Sequence, residues 1–512
     1  MMRRKDKKGI FIGAAVFILA LLFLSVNIKS ASFSSPDEKR YVQSAEEMTE
    51  SGDWITPRYH GRPRFQKPIL FYWFAASGIS LLKDRWAGAR LPSVIFGAGA
   101  VLLTYLIGIN LYNRRAGFLS ASFLAISWIF FTYSRLATPD ITTLFFITLS
   151  IYLFLRVYFD KASKAISPLF FAALAFAVLT KGLVGLLIPF VVIVAYAYLY
   201  KKEGLIKGFN IPLGLFIFLL LVLPWFISMS KIHGYAYINH IWQVETVNRA
   251  SRIGDIKDLL RYLTTAFVAL MPASFFLPIA VIKIVRARKI EKEDSFLILW
   301  MITVVLFFSL FGTKKVHYML LCAPPLCLLI GTLISGLSKR GFIPKAINAF
   351  VAVSLIVYIS LYGYIIPTIC IDDGLMKLAE KILTVRKEGE MIGVGSHFIS
   401  HNRLDAYLGI NVKKVNVDLY DPKEQFETSR TILAEFLKRE KRVFCVITRE
   451  DCEEYIPTHL RKRIYILDEA MYWKKPNQLN FDNALFKAIL KNDKDEIARL
   501  LKNEVLLISN KP

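Results

Sequence analysis

Long apolar runs dominate the first part of the chain, and short polar segments separate them. Each run, at about twenty residues, is long enough to cross the ~30 Å hydrocarbon layer of a bilayer as a helix. The first run begins near Ile10, and together with the later ones it predicts about eleven transmembrane helices. The later runs lie at residues 91–112, 116–133, 141–158, 167–180, 183–200, 211–229, 263–284, 295–312, 318–337 and 345–368.

The charges between the runs predict how these helices are oriented. Cytoplasmic loops carry an excess of Lys and Arg, and alternate loops of this chain are short and basic. This pattern predicts a cytoplasmic N-terminus and, with an odd number of spans, an extracytoplasmic C-terminal segment. A cleaved signal peptide is the alternative for the N-terminus, but the first apolar run is long for one. The basic loops lie at residues 113–115, 161–164, 201–207, 286–292 and 339–345.

Two longer polar segments interrupt the membrane pattern. Residues 29–90 form the first extracytoplasmic loop, in which an apolar run at 69–82 is too short to span and is predicted to lie in the interface. An amphipathic helix is predicted before it, at 41–51. The sequence therefore predicts a transmembrane domain over residues 1–370, followed by a second domain over residues 371–512.

The second domain has the alternating pattern of a small α/β fold. Its predicted strands lie at residues 391–395, 412–417, 442–448 and 463–467, and its predicted helices at 423–440 and 481–501. Cys445 and Cys452 could form a disulfide in an extracytoplasmic domain. Buried thiols are the simpler interpretation, because Cys445 stands in an apolar run.

Composition agrees with a membrane protein and excludes a soluble protein of this size. The chain has 512 residues, 55% of them hydrophobic, and a mean hydropathy of +0.44. A net charge of +25 could indicate a nucleic-acid partner, but the basic residues are spread over short loops instead of forming one patch. We therefore expect no nucleic-acid binding.

Carboxylates stand at two membrane exits of the predicted topology. Asp37 and Glu38 follow the first span, and Asp140 begins the fourth. Ionised groups at such depth are costly and tend to face a cavity or a partner. Capping of the helices that begin beside these acids is the alternative explanation.

The predicted outside segments also carry many cations. Because several loops supply these cations, they indicate a site that binds an anion. Arg binds phosphate bidentately, and Lys acts as a point charge. Some of these side chains could instead contact lipid headgroups. The cationic and His side chains are Arg58, Arg62, Arg64, Lys67, Arg135, Lys181, His240, Arg249, Arg252, Lys314, Lys315 and His317.

Six short motifs occur in one order along the chain: SPDEKRY (35–41), FQKPILFYW (65–73), ARLPS (89–93), RLATPD (135–140), LTKG (179–182) and KKVHY (314–318). Together they resemble the dolichyl- or undecaprenyl-phosphate-sugar glycosyltransferases. This group contains the protein O-mannosyltransferases and the bacterial aminoarabinose transferases that modify lipid A.

The resemblance implies an all-α polytopic membrane fold of the GT-C type with a small C-terminal α/β domain. It implies transfer of a sugar, with inversion, from a polyprenyl-phosphate donor to lipid A, another glycolipid or a protein. The location would be the outer face of the cytoplasmic membrane.

The resemblance also implies roles for particular residues. Asp37 matches the family's catalytic position, where it would take the proton of the acceptor hydroxyl. Asp140 matches the second acid, which could orient the acceptor or a cation. Lys67 and Arg135 could stabilise the departing phosphate. The full set of expected substrate contacts is Glu38, Arg40, Tyr41, Arg58, Lys67, Arg135, Lys181, His240, Arg249, Lys315, His317 and Tyr318.

The chain departs from the family pattern at Gln66, where the aminoarabinose transferases typically have a Glu that can help to hold a metal ion. A neutral amide is a poor ligand for a divalent cation. Metal dependence is therefore not carried over, and the identity of the sugar stays open, aminoarabinose included. His240 and Glu245 are the remaining candidate ligands for a divalent metal.

Two other classes of function are compatible with a polytopic chain. A transporter or flippase of lipid-linked sugars is the main alternative. Transporters tend to place charged sites near the bilayer midplane and to show internal repeats, whereas this chain shows no repeat and places its polar set in outside segments. A non-catalytic assembly protein is the third, and it gives no role to Asp37, Lys67 and Arg135.

Overall fold

The computed structural model describes most of the chain, which divides into two compact units. The first unit is Met1–Lys29 with Arg40–Ile359, and the second is Ser30–Lys39 with Ser360–Pro512. The described residues are 7–29, 36–59, 61–158, 166–200, 208–241, 263–264, 267–286, 290–309, 315–337, 342–365, 374–387, 389–395, 404, 408, 413–414, 422–473 and 502–512.

The first unit is built almost entirely of helices. A short hairpin of β1 (Arg58–Tyr59) and β2 (Arg62–Pro63) interrupts them, and 3-10 turns lie at Ala273–Phe276 and Val316–Cys322. The helices are α1 (Lys7–Ser25), α2 (Pro36–Ser51), α3 (Leu70–Leu82), α4 (Arg85–Leu111), α5 (Arg114–Ile126), α6 (Trp128–Tyr133), α7 (Pro139–Tyr158), α8 (Ser167–Lys181), α9 (Val184–Leu199), α10 (Ile211–Asn239), α11 (Leu277–Arg286), α12 (Lys292–Ser309), α13 (Ala323–Leu337) and α14 (Phe342–Ser360).

Within the described residues, five helical segments are long and apolar enough to cross a membrane. They are Arg85–Leu111, Pro139–Tyr158, Ile211–Asn239, Val316–Gly336 and Lys345–Tyr364. Several shorter helices, among them Phe11–Ser25 and Val184–Leu199, are also apolar. The chain therefore has the helices of a multi-pass membrane protein, and the exact number of spans stays a prediction.

The apolar run at 116–133 is two helices, α5 and α6, instead of the single predicted span. The helix breaks at Ser127, whose ψ of 127° lies in the extended region. The Trp128 amide then donates a hydrogen bond to the Met271 carbonyl at 2.7 Å. A hydrogen bond to a distant segment thus replaces one inside the helix, and an apolar pattern alone does not reveal this.

The segment predicted to be the first extracytoplasmic loop contains the two predicted helices. Helix α3 matches the predicted interfacial run. Helix α2 begins at Pro36, five residues before the predicted start. Proline is favourable in the first helical turn, and the charges of Asp37 and Glu38 in that turn interact favourably with the helix dipole.

Helices α3 and α4 approach closely where two glycines face each other. A Cβ atom on Gly78 would lie 2.1 Å from the Gly88 carbonyl oxygen. Small residues allow this approach, which is the usual way for membrane helices to pack. The contact holds α3 firmly against α4.

The second unit contains a five-stranded sheet in the order β4-β3-β5-β7-β6. Strand β3 pairs in parallel with β4 and β5, whereas β7 pairs antiparallel with β5 and β6. This unit confirms the predicted small α/β fold. Its elements are α15 (Gly374–Val385), β3 (Met391–Val394), β4 (Lys413–Lys414), α16 (Pro422–Leu437), β5 (Val443–Thr448), α17 (Arg449–Tyr455), α18 (Thr458–Arg461), β6 (Tyr465–Trp473) and β7 (Lys502–Ser509).

The central strand β5 is buried on both faces of the sheet. Phe444 and Val446 belong to one core, and Cys445 and Ile447 to the other. Cys445 and Cys452 are free thiols in the same core, and burial raises the pKa of both. The predicted helix at 481–501 lies outside the described residues.

Candidate active site

Asp140 and Lys181 form a buried ion pair at one end of the α7–α8 hairpin. Asp140 stands in the first turn of α7, and Lys181 is the last residue of α8. Because the two helices run antiparallel, these ends meet, and Lys181 Nζ lies 2.5 Å from Asp140 Oδ1. The side chains are only 10% and 11% exposed. Each charge also suits its helix end, an acid at the N-terminus and a cation at the C-terminus.

Aromatic side chains from two other segments surround this pair. His317 Nε2 lies 3.9 Å from Asp140 Oδ1, and Lys181 Nζ lies 5.7 Å from the centre of the Tyr318 ring. The His317 ring packs against Tyr318 at 4.8 Å and against Tyr133 at 5.5 Å. We call these five residues the Asp140 cluster. It unites four predicted site residues, Asp140, Lys181, His317 and Tyr318, with Tyr133, which the sequence analysis did not select.

The Asp140 cluster is suited to binding an anion, and less suited to removing a proton. The ammonium group of Lys181 already occupies Asp140 Oδ1. Because the Asp140 carboxylate accepts this charge-assisted hydrogen bond, it fixes the position of the Lys181 ammonium group. The imidazole of His317 can add a further hydrogen-bond donor beside it.

A second group of predicted residues lies around Arg64, in the loop between α2 and α3. Its guanidinium group lies 5.1 Å from the centre of the Tyr41 ring, and its Nε donates to the Tyr72 hydroxyl at 2.9 Å. Tyr41 itself is buried against Phe71 and Tyr72. Burial lowers the pKa of Arg64, but the two tyrosines outweigh it and hold the pKa above its ordinary value. Tyr41 is therefore part of the support of Arg64.

Arg58 and Lys67 lie on either side of Arg64 in this loop. Arg58 forms an ion pair with Asp53 at 3.2 Å and donates to the Gly61 carbonyl, which stabilises the β1–β2 hairpin. Lys67 Nζ donates to the carbonyl of its neighbour Gln66 at 2.9 Å. Arg58 is thus bound to a side chain and a carbonyl of the loop, and Lys67 is bound to a carbonyl of the loop.

Phe65 anchors the same loop to the end of α10. Its ring packs against His233, Tyr237 and His240, with centroid distances of 5.1, 5.4 and 5.8 Å. The Thr56 hydroxyl lies 2.8 Å from His233 Nε2. His240 therefore stands beside the loop that carries Lys67.

Two buried arginines hold the end of α1. Arg135 Nη1 donates to the Leu24 carbonyl at 2.9 Å, and its guanidinium group lies over the Phe131 ring. Arg90, only 2% exposed, donates to the Ile28 carbonyl at 2.9 Å. The sequence analysis gave Arg90 no role, although a charged residue at the border of an apolar run was a usable signal.

The remaining predicted residues are placed as follows. Asp37 and Glu38 occupy the first turn of α2, Asp37 half-buried and Glu38 fully buried. Arg40 follows on the same helix and is half-buried. Lys315 is exposed and directly precedes the turn that bears His317. Arg249, Arg252, Lys314 and Glu245 lie outside the described residues.

The described part of the chain contains no group of three His, Cys, Asp or Glu side chains that could hold a metal ion. Gln66 is exposed, and His240 packs on Phe65. Glu245, the other candidate ligand, lies outside the described residues, and no step through a metal is derived.

Comparison with known proteins gives matches in both sequence and structure. The dolichyl-phosphate-mannose-protein mannosyltransferase family model matches residues 12–240. An undecaprenyl phosphate-alpha-4-amino-4-deoxy-L-arabinose arabinosyl transferase from Aeromonas salmonicida is 30% identical over 333 residues, which cover 64% of this chain and 60% of that protein. An uncharacterized Aquifex aeolicus protein is 28% identical over 326 residues, 64% of each chain. The chain thus spans less than two thirds of the length of these relatives.

The likeness in structure extends over nearly the whole chain. ArnT from Cupriavidus metallidurans, bound to undecaprenyl phosphate, has a TM-score of 0.68 at 19% identity, with 98% of each chain covered. The Archaeoglobus fulgidus oligosaccharyltransferase, in complex with Zn and sulfate, has a TM-score of 0.51 at 13% identity, with 96% of this chain and 88% of that chain covered. Residues 12–240 therefore match the dolichyl-phosphate-mannose-protein mannosyltransferase family, and the chain has the GT-C type fold of the polyprenyl-phosphate-sugar glycosyltransferases that its motifs resemble.

Proposed function

We propose that this chain is a membrane glycosyltransferase that moves a sugar from a polyprenyl-phosphate donor to an acceptor hydroxyl. The Asp140 cluster carries the proposal, because it holds a cation at a fixed position beside His317 and Tyr318 on a fold shared with ArnT. Relatives named as arabinosyl transferases and a structural neighbour that binds undecaprenyl phosphate support it.

In the proposed reaction the acceptor oxygen attacks C1 of the sugar. The new C1–O bond forms on the face opposite the phosphate, so the configuration at C1 inverts. The bond between C1 and the phosphate oxygen breaks with its electron pair, and the acceptor proton passes to the Asp37 carboxylate. General base catalysis of this kind contributes about 10²–10⁴-fold to the rate.

The departing polyprenyl phosphate is a stable anion and needs charge stabilisation instead of a proton. Fixed cations in a site from which water is excluded provide this most effectively. Lys181 has such a fixed position, because Asp140 holds its ammonium group. In this proposal Asp140 is a positioning residue, and Lys181, Lys67 and Arg135 face the phosphate. Glu38, Arg40, Tyr41, Arg58, His240, Arg249, Lys315, His317 and Tyr318 complete the proposed substrate contacts.

We assign residues 1–370 to the membrane catalytic domain and residues 371–512 to an extracytoplasmic domain. The proposed location is the cytoplasmic membrane, with the N-terminus in the cytoplasm. Arg114 is exposed and Arg115 is half-buried at the start of α5. Tyr133 of the Asp140 cluster is the last residue of α6, which continues the apolar run that begins with α5. Basic loops on one side and the cluster on the other support a site at the outer face.

Mass spectrometry of lipid-linked sugars and outer glycolipids, in cells with and without the protein, tests the transfer. Loss of the protein should let one lipid-linked sugar accumulate while one glycolipid or glycoprotein loses that sugar. The same comparison therefore reports donor and acceptor together. Unchanged profiles in both pools would overturn the proposal.

Reconstitution separates the transferase from the alternative of a flippase. A transferase in proteoliposomes releases free polyprenyl phosphate when donor and acceptor are both supplied. A flippase would move the intact lipid-linked sugar to the other leaflet and release none.

The topology is tested by the exposed Lys462, which follows α18 in the second unit. Lys462→Cys should react with a membrane-impermeant maleimide on intact cells, because the second unit is proposed to lie outside. The wild-type chain is the control, since its described cysteines are buried. Labelling that occurs only after lysis would reverse the proposed orientation.

A further inference from the structure

An apolar groove of about 450 Å³ lies between α1, α5 and α14 in the first unit. Its walls include Val16 and Phe23 of α1, Phe118 of α5, and Leu355 and Ile359 of α14. Ser122 also lines the groove, but its hydroxyl donates to the Phe118 carbonyl at 2.9 Å. The walls of the groove are therefore apolar.

The groove extends over the depth of about one leaflet. Helices α1 and α14 each contribute their C-terminal half, from Val16 and from Val351 onward. The segment Val351–Ile359 rises by about 12 Å along its helix, close to half of the ~30 Å hydrocarbon core. A chain that enters from one leaflet would fill it.

An aromatic pair lies beside the C-terminal end of the α14 segment that lines the groove. Trp128, 46% exposed, stacks on Tyr358 at 6.1 Å, and Tyr358 directly precedes the lining residue Ile359. Trp and Tyr are enriched where a membrane protein meets the headgroup layer. Lys29, also exposed, follows the lining residue Val26 by three positions. This end therefore combines an interfacial anchor with a positive charge.

We propose that the groove binds one acyl chain of an anionic glycerophospholipid. An apolar groove of leaflet depth matches an acyl chain, whereas a polyprenyl chain is much longer than one leaflet is deep. Lys29 suits the lipid phosphate. Phe23 and Tyr358 both pack on Phe131, at 5.0 and 4.5 Å, and the Arg135 guanidinium group lies over the same ring. A bound acyl chain thus supports Phe23 and Tyr358, which in turn hold the Phe131 ring under Arg135. This proposal depends on the placement of these helices in a membrane, and it does not depend on the sugar-transfer reaction.

Photolabelling tests the site directly. The probe is phosphatidylglycerol with a diazirine in one acyl chain, added in rising mole fraction to the purified full chain in detergent. Labelled peptides should come mainly from α1, α5 and α14, and labelling should saturate. Leu355→Trp, which fills the groove, should lower this labelling about tenfold. Ser122→Phe fills it from the opposite wall and should act in the same way.

Ile356→Trp is the matched control, because Ile356 neighbours Leu355 but is 62% exposed. It should leave the labelling unchanged. Labelling that rises without saturation, and equally on the exposed face of α10, would mean ordinary solvation by lipid and overturn the proposal. Displacement of the probe by an equal concentration of polyprenyl monophosphate would assign the groove to a polyprenyl chain instead. Because the readout is labelling, failure of the transfer reaction does not affect it.

Discussion

Asp37→Asn is expected to reduce sugar transfer by about 10²–10⁴-fold while the protein still folds and inserts. The amide keeps the shape of the side chain but cannot accept the acceptor's proton. Asn is also well tolerated at the start of a helix, so α2 should still form at Pro36. Turnover of purified protein with a polyprenyl-phosphate sugar measures the loss, and thermal unfolding in detergent measures the fold.

Glu50→Gln is the matched control for this variant. Glu50 is exposed near the other end of α2, so the same chemical change there should leave turnover as in the wild type. Near-normal turnover of Asp37→Asn would remove Asp37 from the mechanism. The anion-binding role of the Asp140 cluster would then need a different base.

Removing either partner of the Asp140–Lys181 pair is expected to destabilise the protein by about 3 kcal/mol, because one buried charge is left without its partner. Asp140→Asn and Lys181→Met are the single changes. The double variant should be less destabilised than the sum of the two, by about 1–3 kcal/mol, since neither charge then remains. Denaturant unfolding in detergent micelles measures all three differences.

Lys231→Met serves as the control, because Lys231 is exposed on α10. Its free energy of unfolding should equal that of the wild type. Strictly additive effects of the two cluster changes would show that the pair is not coupled in solution. If Lys181 faces the donor phosphate, Lys181→Met should also abolish sugar transfer. If the pair only stabilises the fold, folded Lys181→Met protein should keep its transfer activity.

The sequence predicted where the helices lie better than where they break. Apolar runs located α4, α7 and α10, because a membrane requires continuous apolar length. The break at Ser127 depends on the Met271 carbonyl, which no local pattern reveals. Strand β7 was also missed, although Val505 and Leu507 face one core and Leu506 and Ile508 the other. A short run of consecutive apolar residues does not distinguish a strand buried on both faces from a helix.

The site was predicted as a set of residues but not as a set of contacts. Charge counting placed Asp140, Lys181 and His317 outside, yet their pairing follows from the antiparallel packing of α7 and α8. Arg135 was expected to face phosphate, and its hydrogen bond to the Leu24 carbonyl shows a second, structural use of the same side chain. An arginine has five donors, so the two uses are compatible.

The Asp140 cluster takes its residues from both sides of residue 240, where the match to the family model ends. Asp140 and Lys181 lie inside the matched region, whereas His317 and Tyr318 lie beyond it. A chimera joined near that point would keep the charged pair and Tyr133 of one parent and receive His317 and Tyr318 from the other. The ion pair and the segment that bears His317 and Tyr318 can therefore be exchanged separately by joining two related chains at this point.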